Sequence, residues 1–600
     1  MEFSNHKFKI FDFIKISFIV SPFNALIKIV DMILSAISPS FLVLSTAKFI
    51  DVAIGIHSGD YPYHYIYMPI LVLFALIVYQ NISKVLFHFS EIKLSFAMNE
   101  YIQSKIVHKR VLLDYCHIEN NDDWELIVRT CNNPSTQLLE GYNNLIQMIR
   151  LIITLISYTI ILLSQVWWSA PIIVAFTIPL FFLSLKSGKN NYKGYQRASK
   201  YQRRAGYLNS ILEDRQFTEE RALFSFTDEI EKKWFDQYET ARKITLSVQS
   251  KELLKTKGAG LLTVIISFVF AGILLFPLRQ AAISIGFFIA IVTALFNVVN
   301  IVSWELTSIA NSLANKHEYL KDLSKFFALS INENSDALPD VSIRNKIDST
   351  IEFQNVSFAY PGTERLILKN ISFKLNNNMK YAFVGANGAG KTTIIKLLTG
   401  LYTNYEGKIF IGGQDIRTLN VSELKAIFAV IYQDFSKYQI SVLDNICLGC
   451  INDNKQKQVE PIVESIGIDK VIERLPDGIN TNLGKIYENS VDISGGEWQR
   501  IAMARTLISG APVYILDEPT AALDPIAESE LYDNFRSVME DNHLTVLITH
   551  RLGAVRFIDE ILVIEDGTIV ECGNHNDLVT QSGVYSKMFE EQKGWYEYEK

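Results

Sequence analysis

The chain has 600 residues, enough for two or more domains, and 49% of them are hydrophobic, a high share for a water-soluble protein. Its formal net charge of −7 argues against nucleic acid as a partner, because proteins that bind nucleic acid normally carry a basic face. The five cysteines lie in segments that we expect in the cytoplasm as free thiols. Cys447 and Cys450 have zinc-site spacing, but no second pair accompanies them, so we expect no structural metal.

The first half of the chain contains six apolar runs long enough to cross a membrane. They lie near residues 22–50, 64–88, 146–165, 168–185, 259–278 and 281–303. Residues 1–20 alternate lysine with large apolar residues, which suits either a helix on the inner membrane surface or an extension of the first span. Lys28 and Asp31 lie one helical turn apart within the first run. They could form an ion pair near the inner boundary or a polar site in the translocation path.

Basic residues predict the orientation of these spans. The short connections near 51–63 and 165–168 carry no Lys or Arg, whereas the stretch from 186 to 257 is rich in both. The long connections, about 89–145 and 186–258, are therefore predicted to be helical and cytoplasmic. We expect an integral protein of the cytoplasmic membrane, in contact with membrane lipids, with both termini inside.

The long connections have two tips that can form short helices, Glu119–Leu126 and Asp214–Phe224. Each offers an apolar residue, Trp124 or Phe217, that could insert into a groove of a neighbouring domain. The alternative is that both tips are solvated ends of helical hairpins.

A polar segment divides the chain into two parts. Residues 331–350 are low in aromatic residues and broken by Pro339, which indicates a linker. It separates a transmembrane domain, 1–330, from a second domain, 351–600. The second domain begins with the alternating apolar and polar pattern of a strand, Ile351–Tyr360.

The second domain contains a phosphate-binding loop. An apolar strand, a glycine-rich loop and a helix start within 381–395 fit the pattern G-x-x-x-x-G-K-[ST]. Its glycines let the backbone wrap phosphates closely, Lys391 can reach the β- and γ-phosphate oxygens, and the Thr392 hydroxyl can ligate Mg²⁺. The residues expected to bind ATP here are Gly385, Ala386, Asn387, Gly388, Ala389, Gly390, Lys391, Thr392 and Thr393.

Two further strand ends carry candidate catalytic groups. The apolar strand that starts at Val513 ends in Asp517 and Glu518. Asp517 is suited to the outer sphere of Mg²⁺, and Glu518 is placed to polarise the attacking water. His550 closes another apolar strand and could contact the γ-phosphate, although a lone histidine at a strand end is usually structural.

The order of these motifs, with Gln433 and the stretch ISGGE at 493–497, resembles the nucleotide-binding domain of ATP-binding-cassette (ABC) proteins. The six spans before it are similar to the membrane domain of ABC exporters. The resemblance implies an all-α six-helix transmembrane domain followed by an α/β P-loop ABC ATPase domain. It also implies a half-transporter that uses ATP and Mg²⁺ and works as a dimer.

The same resemblance implies further roles by position. Gln433 would sense and ligate Mg²⁺, and His550 would be the switch histidine. The remaining nucleotide contacts implied are an adenine stack by Tyr360, the signature Ser494, Gly495, Gly496 and Glu497, and the D-loop Asp524. The signature would grip the γ-phosphate bound by the partner chain, so a homodimer suffices and a heterodimer with a related half is the alternative.

Two features narrow the expectation about cargo. Tyr432–Tyr438 and Leu516–Glu528 resemble transporters that export lantibiotics and related ribosomally made peptides, of the nisin-exporter type. The first span starts near residue 22, so we expect no N-terminal peptidase domain that would cut a leader. A multidrug or lipid exporter is the alternative, because it would share every motif above.

The signature itself departs from the usual pattern. Glu497 stands where Gln is usual. A carboxylate in the first helical turn is favoured by the helix dipole, which makes the change a tolerated, helix-stabilising variant. The alternative is that its charge, near a nucleotide, weakens ATP-driven closure.

Overall fold

The structure is a computed structural model that describes residues 3, 6–163, 169–273, 275–279, 283–332, 335–344, 346–449, 455–519 and 543–597. The chain forms two compact units. The first, the membrane unit, contains Met1–Arg110 and Asn121–Ser330. The second, the ATPase unit, contains Val111–Asn120 and Ile331–Lys600.

Helices make up nearly all of the described residues before residue 330. They are α1 Asp12–Val20, α2 Pro22–His57, α3 Tyr67–Leu112, α4 Tyr115–Glu119, α5 Asn121–Cys131, α6 Pro134–Leu163, α7 Ser169–Glu213, α8 Thr218–Phe224, α9 Thr227–Ile273, α10 Leu275–Arg279, α11 Ile285–Asn300 and α12 Thr307–Ala328. A π-helical turn, Ile301–Leu306, joins α11 to α12. All belong to the membrane unit except α4 and the last two residues of α3, which lie in the ATPase unit.

Four helical stretches among the described residues are long and apolar enough to cross a membrane: Pro22–His57, Tyr63–Leu112, Pro134–Ile161 and Ile285–Ala328. The prediction of a helical membrane domain is confirmed. The spans expected near 168–185 and 259–278 fall on α7 and α9, where many side chains lie outside the described residues.

Local sequence signals explain where these helices start. Pro22 occupies the first turn of α2, where its missing N–H costs no hydrogen bond. The Ser284 hydroxyl accepts a hydrogen bond from the Phe287 backbone and caps α11. Between the helices lies an apolar core that includes Val43, Leu151, Tyr158, Ile291 and Leu295.

Lys28 and Asp31 do not pair with each other. Lys28 is 0% exposed; its Nζ donates to Asn143 Oδ1 at 2.6 Å and lies 4.2 Å from the centroid of the Phe87 ring. Asp31 instead accepts a hydrogen bond from Ser83. The two side chains turn to different neighbouring helices, α6 and α3, because each finds a polar partner there.

The ATPase unit is an α/β domain. Its strands are β1 Ile351–Ala359, β2 Leu366–Leu375, β3 Lys380–Val384, β4 Glu406–Ile411, β5 Gln414–Asp415, β6 Phe428–Ile431, β7 Val513–Asp517, β8 Leu544–Ile548, β9 Glu560–Glu565 and β10 Thr568–Gly573. Its other helices are α13 Lys391–Leu398, α14 Val421–Ile427, α15 Val442–Cys447, α16 Lys455–Ile466, α17 Asp469–Glu473, α18 Gly495–Leu507, α19 His575–Thr580 and α20 Val584–Glu597.

Two sheets organise this unit. An antiparallel sheet has the order β2-β1-β4-β5, and a larger sheet has the order β10-β9-β3-β8-β7-β6, parallel except for the edge strand β10. In the parallel part, β3 and β7 flank β8, with Tyr381 opposite Val546 and Asp517 opposite Ile548. The carboxyl ends of parallel strands share one edge, where ligands usually bind. The phosphate loop and Asp517 therefore meet at this edge.

The segment expected to be a linker packs on the ATPase unit. Ile343 is buried in its core, and the Arg344 guanidinium donates to the carbonyl oxygens of Ala426 and Ser509 at 2.8 and 2.6 Å. Desolvation by burial lowers the pKa of Arg344. The polar composition of 331–350 thus reflects surface residues around a few anchoring contacts.

Candidate nucleotide site

The phosphate loop joins β3 to α13 in a conformation that requires glycine. Gly388 has φ +83° and Gly390 has φ +106°, a region that favours glycine. At Gly385, an added Cβ would lie 2.1 Å from the Ile564 carbonyl oxygen of β9. The loop therefore keeps backbone N–H groups close together at the amino end of α13, the arrangement that binds phosphate.

Lys391 and Thr392 follow directly on this loop. Lys391 Nζ donates to the carbonyl oxygens of Gly385 and Ala386 at 2.7 and 3.0 Å, so the ammonium group lies over the loop. Desolvation lowers the pKa of Lys391, while Glu518 and Asp517 oppose the shift. Thr392 Oγ1 donates to Asp517 Oδ2 at 3.0 Å, which joins the loop to the end of β7.

Asp517 and Thr392 supply oxygen ligands of the kind that Mg²⁺ prefers. Asp517 is 2% exposed, and burial raises its pKa to about 6, with Thr392 and Lys391 acting in the opposite direction. A bound divalent cation would offset the cost of this buried charge, so the donors present fit magnesium.

Glu518 lies at the centre of a second group of polar side chains. Its backbone has φ +49°, an uncommon conformation for a residue other than glycine and one that is often found at active sites. The carboxylate accepts from Gln433 Nε2 at 2.8 Å and lies 3.1 Å from His550 Nδ1. The structure thus brings Gln433, Glu518 and His550 together beside Asp517.

Tyr360 follows β1 and belongs to an aromatic cluster. Its ring packs edge-on against Phe358 and Tyr402, with centroids 5.2 and 5.5 Å away. Its hydroxyl lies 3.0 Å from Thr393 Oγ1, and Lys396 Nζ lies 5.2 Å from its ring centroid. This half-buried ring is held beside the phosphate loop, where it could stack on a base.

Comparison with known proteins identifies the family. Residues 368–521 match the family model described as ABC transporter. The chain is also 30% identical over 494 residues to the subtilin transport ATP-binding protein SpaT of Bacillus subtilis, covering 81% of this chain and 79% of that protein. The chain belongs to the ABC transporter family. It is an ATP-hydrolysing transporter, and its ATPase unit is an ABC nucleotide-binding domain.

Two other comparisons support the exporter class. The chain is 28% identical over 430 residues to the ATP-dependent lipid A-core flippase of Salmonella typhimurium, covering 71% of this chain and 72% of that protein. It shares its fold with the structure of a bacterial Atm1-family ABC exporter with ATP bound, at a TM-score of 0.74 and 22% identity, over 94% of this chain and 98% of that chain. This ABC transporter therefore has the fold of a membrane-spanning ABC exporter.

The residues expected to form the signature of this ABC transporter lie at the start of α18. Ser494 Oγ accepts from the Glu497 backbone N–H at 3.3 Å, and Glu497 Oε2 accepts from the Ser494 N–H at 2.8 Å, which makes a capping box. The other Glu497 oxygen pairs with the Arg474 guanidinium. Glu497 therefore both stabilises the helix start and has a cation beside it.

No hydrogen bond or ion pair among the described residues joins the stretch 494–497 to the phosphate loop of the same chain. The signature helix packs in a core that contains Trp498 and Ile501, whereas the loop and α13 pack in another that contains Ala389 and Ile394. The two stretches therefore pack in separate cores of the ATPase unit. Asp524 lies outside the described residues, as does Cys450.

Sequence reasoning missed Arg505, which connects α18 to the segment after Gln433. Its guanidinium donates to the backbone oxygen and to Oδ1 of Asn445, at 3.1 and 2.9 Å, and lies 4.6 Å from the Tyr438 ring centroid. Asn445 is fully buried, and its amide in turn donates to the Tyr438 carbonyl. An arginine three turns after the signature serine is too common in helices to have signalled this role.

Sequence reasoning also missed Tyr115 on α4. Tyr115 packs on the core of the ATPase unit and lies edge-on to Tyr402, 5.7 Å between centroids. On the same short helix, Glu119 pairs with Lys396 at 2.7 Å. The apolar residues expected to insert at the two tips, Trp124 and Phe217, belong to the membrane unit, and both are half-buried.

Proposed function

We propose that this ABC exporter moves a ribosomally made, modified peptide of the lantibiotic type out of the cell, across the cytoplasmic membrane. The observation that supports this cargo is the similarity to a subtilin transporter over 81% of the chain. The strings Tyr432–Tyr438 and Leu516–Glu528 favour the same cargo class. Both termini would face the cytoplasm, because the stretch from 186 to 257 carries the basic residues.

We propose that the ATP site works with the roles expected from the sequence. The loop backbone and Lys391 would hold the phosphates, and the ring of Tyr360 would stack on adenine. Thr392, Asp517 and Gln433 would hold Mg²⁺, which when bound neutralises phosphate charge. The hydrogen bond from Gln433 and the contact with His550 would orient the Glu518 carboxylate toward a water molecule that it polarises as a general base.

We further propose that the working assembly is a homodimer. One chain contains the phosphate loop, Glu518 and the signature, so two copies supply two complete sites. Ser494, Gly495 and Gly496, aided by Asp524, would complete the site of the second copy by contacting its γ-phosphate. A heterodimer with a related half-transporter would meet the same requirement.

A transport assay tests the cargo. The protein, reconstituted in liposomes with outward-facing ATPase domains, should take up a lanthionine-containing precursor peptide when supplied with Mg-ATP, and the peptide should stimulate ATP hydrolysis. Lys391→Ala is the negative control, since it removes the cation that contacts the phosphates. Stimulation by lipid A-core and not by peptide would overturn peptide export.

That second outcome corresponds to the alternative function. A lipid exporter is favoured by the 28% identity to the lipid A-core flippase over 71% of this chain. Both functions would use the same ATPase chemistry, so only the response to cargo separates them.

A further inference from the structure

The membrane unit contains a cavity between helices, with apolar side chains and several polar ones on its wall. Its volume is about 360 Å³, and α2, α6, α11 and the π-helical turn surround it. The polar side chains that matter on its wall are Arg150, Tyr158, Asn297, Asn300 and Glu305. Ligand sites in proteins span roughly 300–1,000 Å³, so this cavity would hold part of a ligand rather than a whole peptide or lipid.

Arg150 brings a positive charge to this cavity from the middle of α6. Its Nε atom is buried and has no hydrogen-bond partner among the described residues. Charged residues within helices that can cross a membrane are costly, and those that occur usually face a pathway or a partner. A guanidinium that lines a cavity and whose buried Nε has no protein partner therefore points to a site for an anionic group of a ligand.

Glu305 reaches the same cavity because of the π-helical turn. Asn297 and Asn300 line the cavity, and in a regular α-helix the next residue on the same face would be Trp304. The π-helical turn shifts this position by one residue, so Glu305 lines the cavity and Trp304 is 52% exposed. Such turns are frequent at functional sites. The Glu305 carboxylate accepts from Asn300 Nδ2 at 3.2 Å, and Asn297 Nδ2 donates to the Tyr158 hydroxyl at 3.1 Å. The turn thus adds a carboxylate to a wall of amides and hydroxyls.

We propose that this cavity binds a short segment of the exported peptide that carries a carboxylate next to a cationic or N–H donor group. Arg150 binds the carboxylate, Glu305 binds the donor, and the amides of Asn297 and Asn300 pair with the peptide backbone. The inference rests on the proposed peptide export and names the part of the cargo that is recognised.

The wall chemistry favours a peptide over a phosphate-bearing lipid. A lipid phosphate would gain from Arg150 but would meet the Glu305 carboxylate on the same wall, and like charges repel most where water is excluded. A peptide segment instead offers both signs of charge and the backbone N–H and C=O groups that asparagine amides complement.

ATPase stimulation by matched peptides tests the proposal. The full-length protein in liposomes receives either the blocked peptide ALDAKLA or the same peptide with Asn in place of Asp. We expect the Asn peptide to need a roughly tenfold higher concentration for half-maximal stimulation, since it loses a charge-assisted hydrogen bond. In Arg150→Gln the two peptides should become equivalent, and Arg150→Lys should keep part of the difference.

The control variant is Arg242→Gln. Arg242 is a half-exposed arginine that pairs with Glu239 on α9, outside the cavity, so its loss should leave the peptide preference unchanged. A third peptide, ALDAQLA, has Gln in place of Lys. Glu305→Gln should weaken the preference for ALDAKLA over ALDAQLA and leave the preference for the Asp peptide over the Asn peptide unchanged. If Arg150→Gln fails to fold, the preference of the wild-type protein for the Asp peptide and the smaller preference expected of Arg150→Lys still test the role of Arg150.

The outcomes separate this proposal from peptide export itself. Equal stimulation of the wild-type protein by the Asp and Asn peptides would overturn the role of Arg150 and leave peptide export standing. An unchanged Asp preference in Arg150→Gln would do the same. If lipid A-core stimulates the wild-type protein and neither peptide does, both the cavity proposal and the proposed function fail.

Discussion

The two units of this transporter place their functional side chains in different ways. In the ATPase unit, candidate catalytic groups stand at the ends of buried strands, and one sheet edge collects them. In the membrane unit, Arg150 comes from the middle of α6 and Glu305 from the π-helical turn, and helix packing places both on the wall of one cavity. Functional side chains at strand ends can be predicted from a sequence motif. Functional side chains between helices depend on which helix faces pack together, and a local motif does not specify this.

The difference also has an energetic side. In the ATPase unit, the buried Asp517 lies near the Thr392 hydroxyl and the Lys391 ammonium group, at the edge where a ligand would add charge. In the membrane unit, the buried Lys28 is satisfied by a neutral amide, which itself contacts a carboxylate. Substitutions in the first unit should therefore change activity with little loss of folding, and substitutions in the second should change stability.

Glu518→Gln should give the largest effect. The amide keeps the shape of the side chain but cannot accept a proton from water, so ATP hydrolysis should fall by about 10²- to 10⁴-fold. ATP binding, measured with a fluorescent nucleotide, should remain within a fewfold of the wild-type value. Glu565→Gln, at an exposed end of β9, is the matched control and should hydrolyse ATP normally. Normal hydrolysis by Glu518→Gln would remove this residue from the base role.

Asn143→Ala tests the opposite behaviour in the membrane unit. The change leaves Lys28 Nζ and the Glu91 carboxylate without the amide that now contacts both at 2.6 Å. Unfolding should become easier by about 1–3 kcal/mol, because a buried charged group loses its hydrogen bond. The thermal midpoint in detergent measures this loss.

The neighbouring variant Asn144→Ala provides the comparison for that experiment. Asn144 donates to a neutral partner, the Ser312 hydroxyl, at 2.8 Å. Its removal therefore leaves no charged group without a hydrogen bond. The midpoint should fall less than in Asn143→Ala. Equal falls would mean that the charge of Lys28 does not set the cost.

The same contrast explains how much could be predicted from sequence. The fold class, the family and the proximity of Thr392, Asp517, Glu518, Gln433 and His550 followed from strand-end motifs and the resemblance that they carry. The partners of Lys28 and Asp31 did not, because both residues sit on a helix whose neighbours no local pattern specifies. Arg505, Tyr115 and Glu305 were missed for a related reason. Each acts through a contact distant in sequence, or through a helix irregularity without a compositional signal.

Asp517→Asn should show a pH-dependent change in stability. Burial raises the pKa of this carboxyl from 3.8 to about 6, so between these values the folded protein binds the proton more tightly than the unfolded chain. Stability therefore falls as pH rises through this window, and the cost persists at neutral pH. Without Mg²⁺, the variant should be more stable than the wild type by roughly 1–3 kcal/mol at pH 7.5 and by about half as much at pH 5.

Thermal midpoints at the two pH values measure this effect, and added Mg-ATP should reverse the order of stability, because only the wild type holds the metal with a carboxylate. A constant difference between the two proteins at pH 5 and 7.5 would show that the buried charge is not responsible. At this strand-end site, the substitution should raise stability and weaken metal binding. Asn143→Ala in the membrane unit should instead lower stability.

The smallest expected effect concerns the signature. Here, as in the membrane unit, a charged side chain is paired with a residue from another element of the fold. The charge of Glu497 is matched by Arg474, which comes from another element, just after α17. We expect Glu497→Gln alone to change the ATPase rate less than about twofold, since exposed ion pairs contribute roughly 0–1 kcal/mol. Arg474→Gln leaves the carboxylate unmatched near the nucleotide of the second copy, and the KM for ATP should rise about two- to fivefold at low salt.

The double variant tests whether Arg474 acts by neutralising the charge of Glu497 or through contacts of its own. If Arg474 acts by neutralising Glu497, then Glu497→Gln in the Arg474→Gln background should restore the KM for ATP, and high salt should erase the difference. If the double variant keeps the raised KM, Arg474 contributes through its own contacts. The unusual glutamate of the signature would then be tolerated through its helix cap with Ser494 alone.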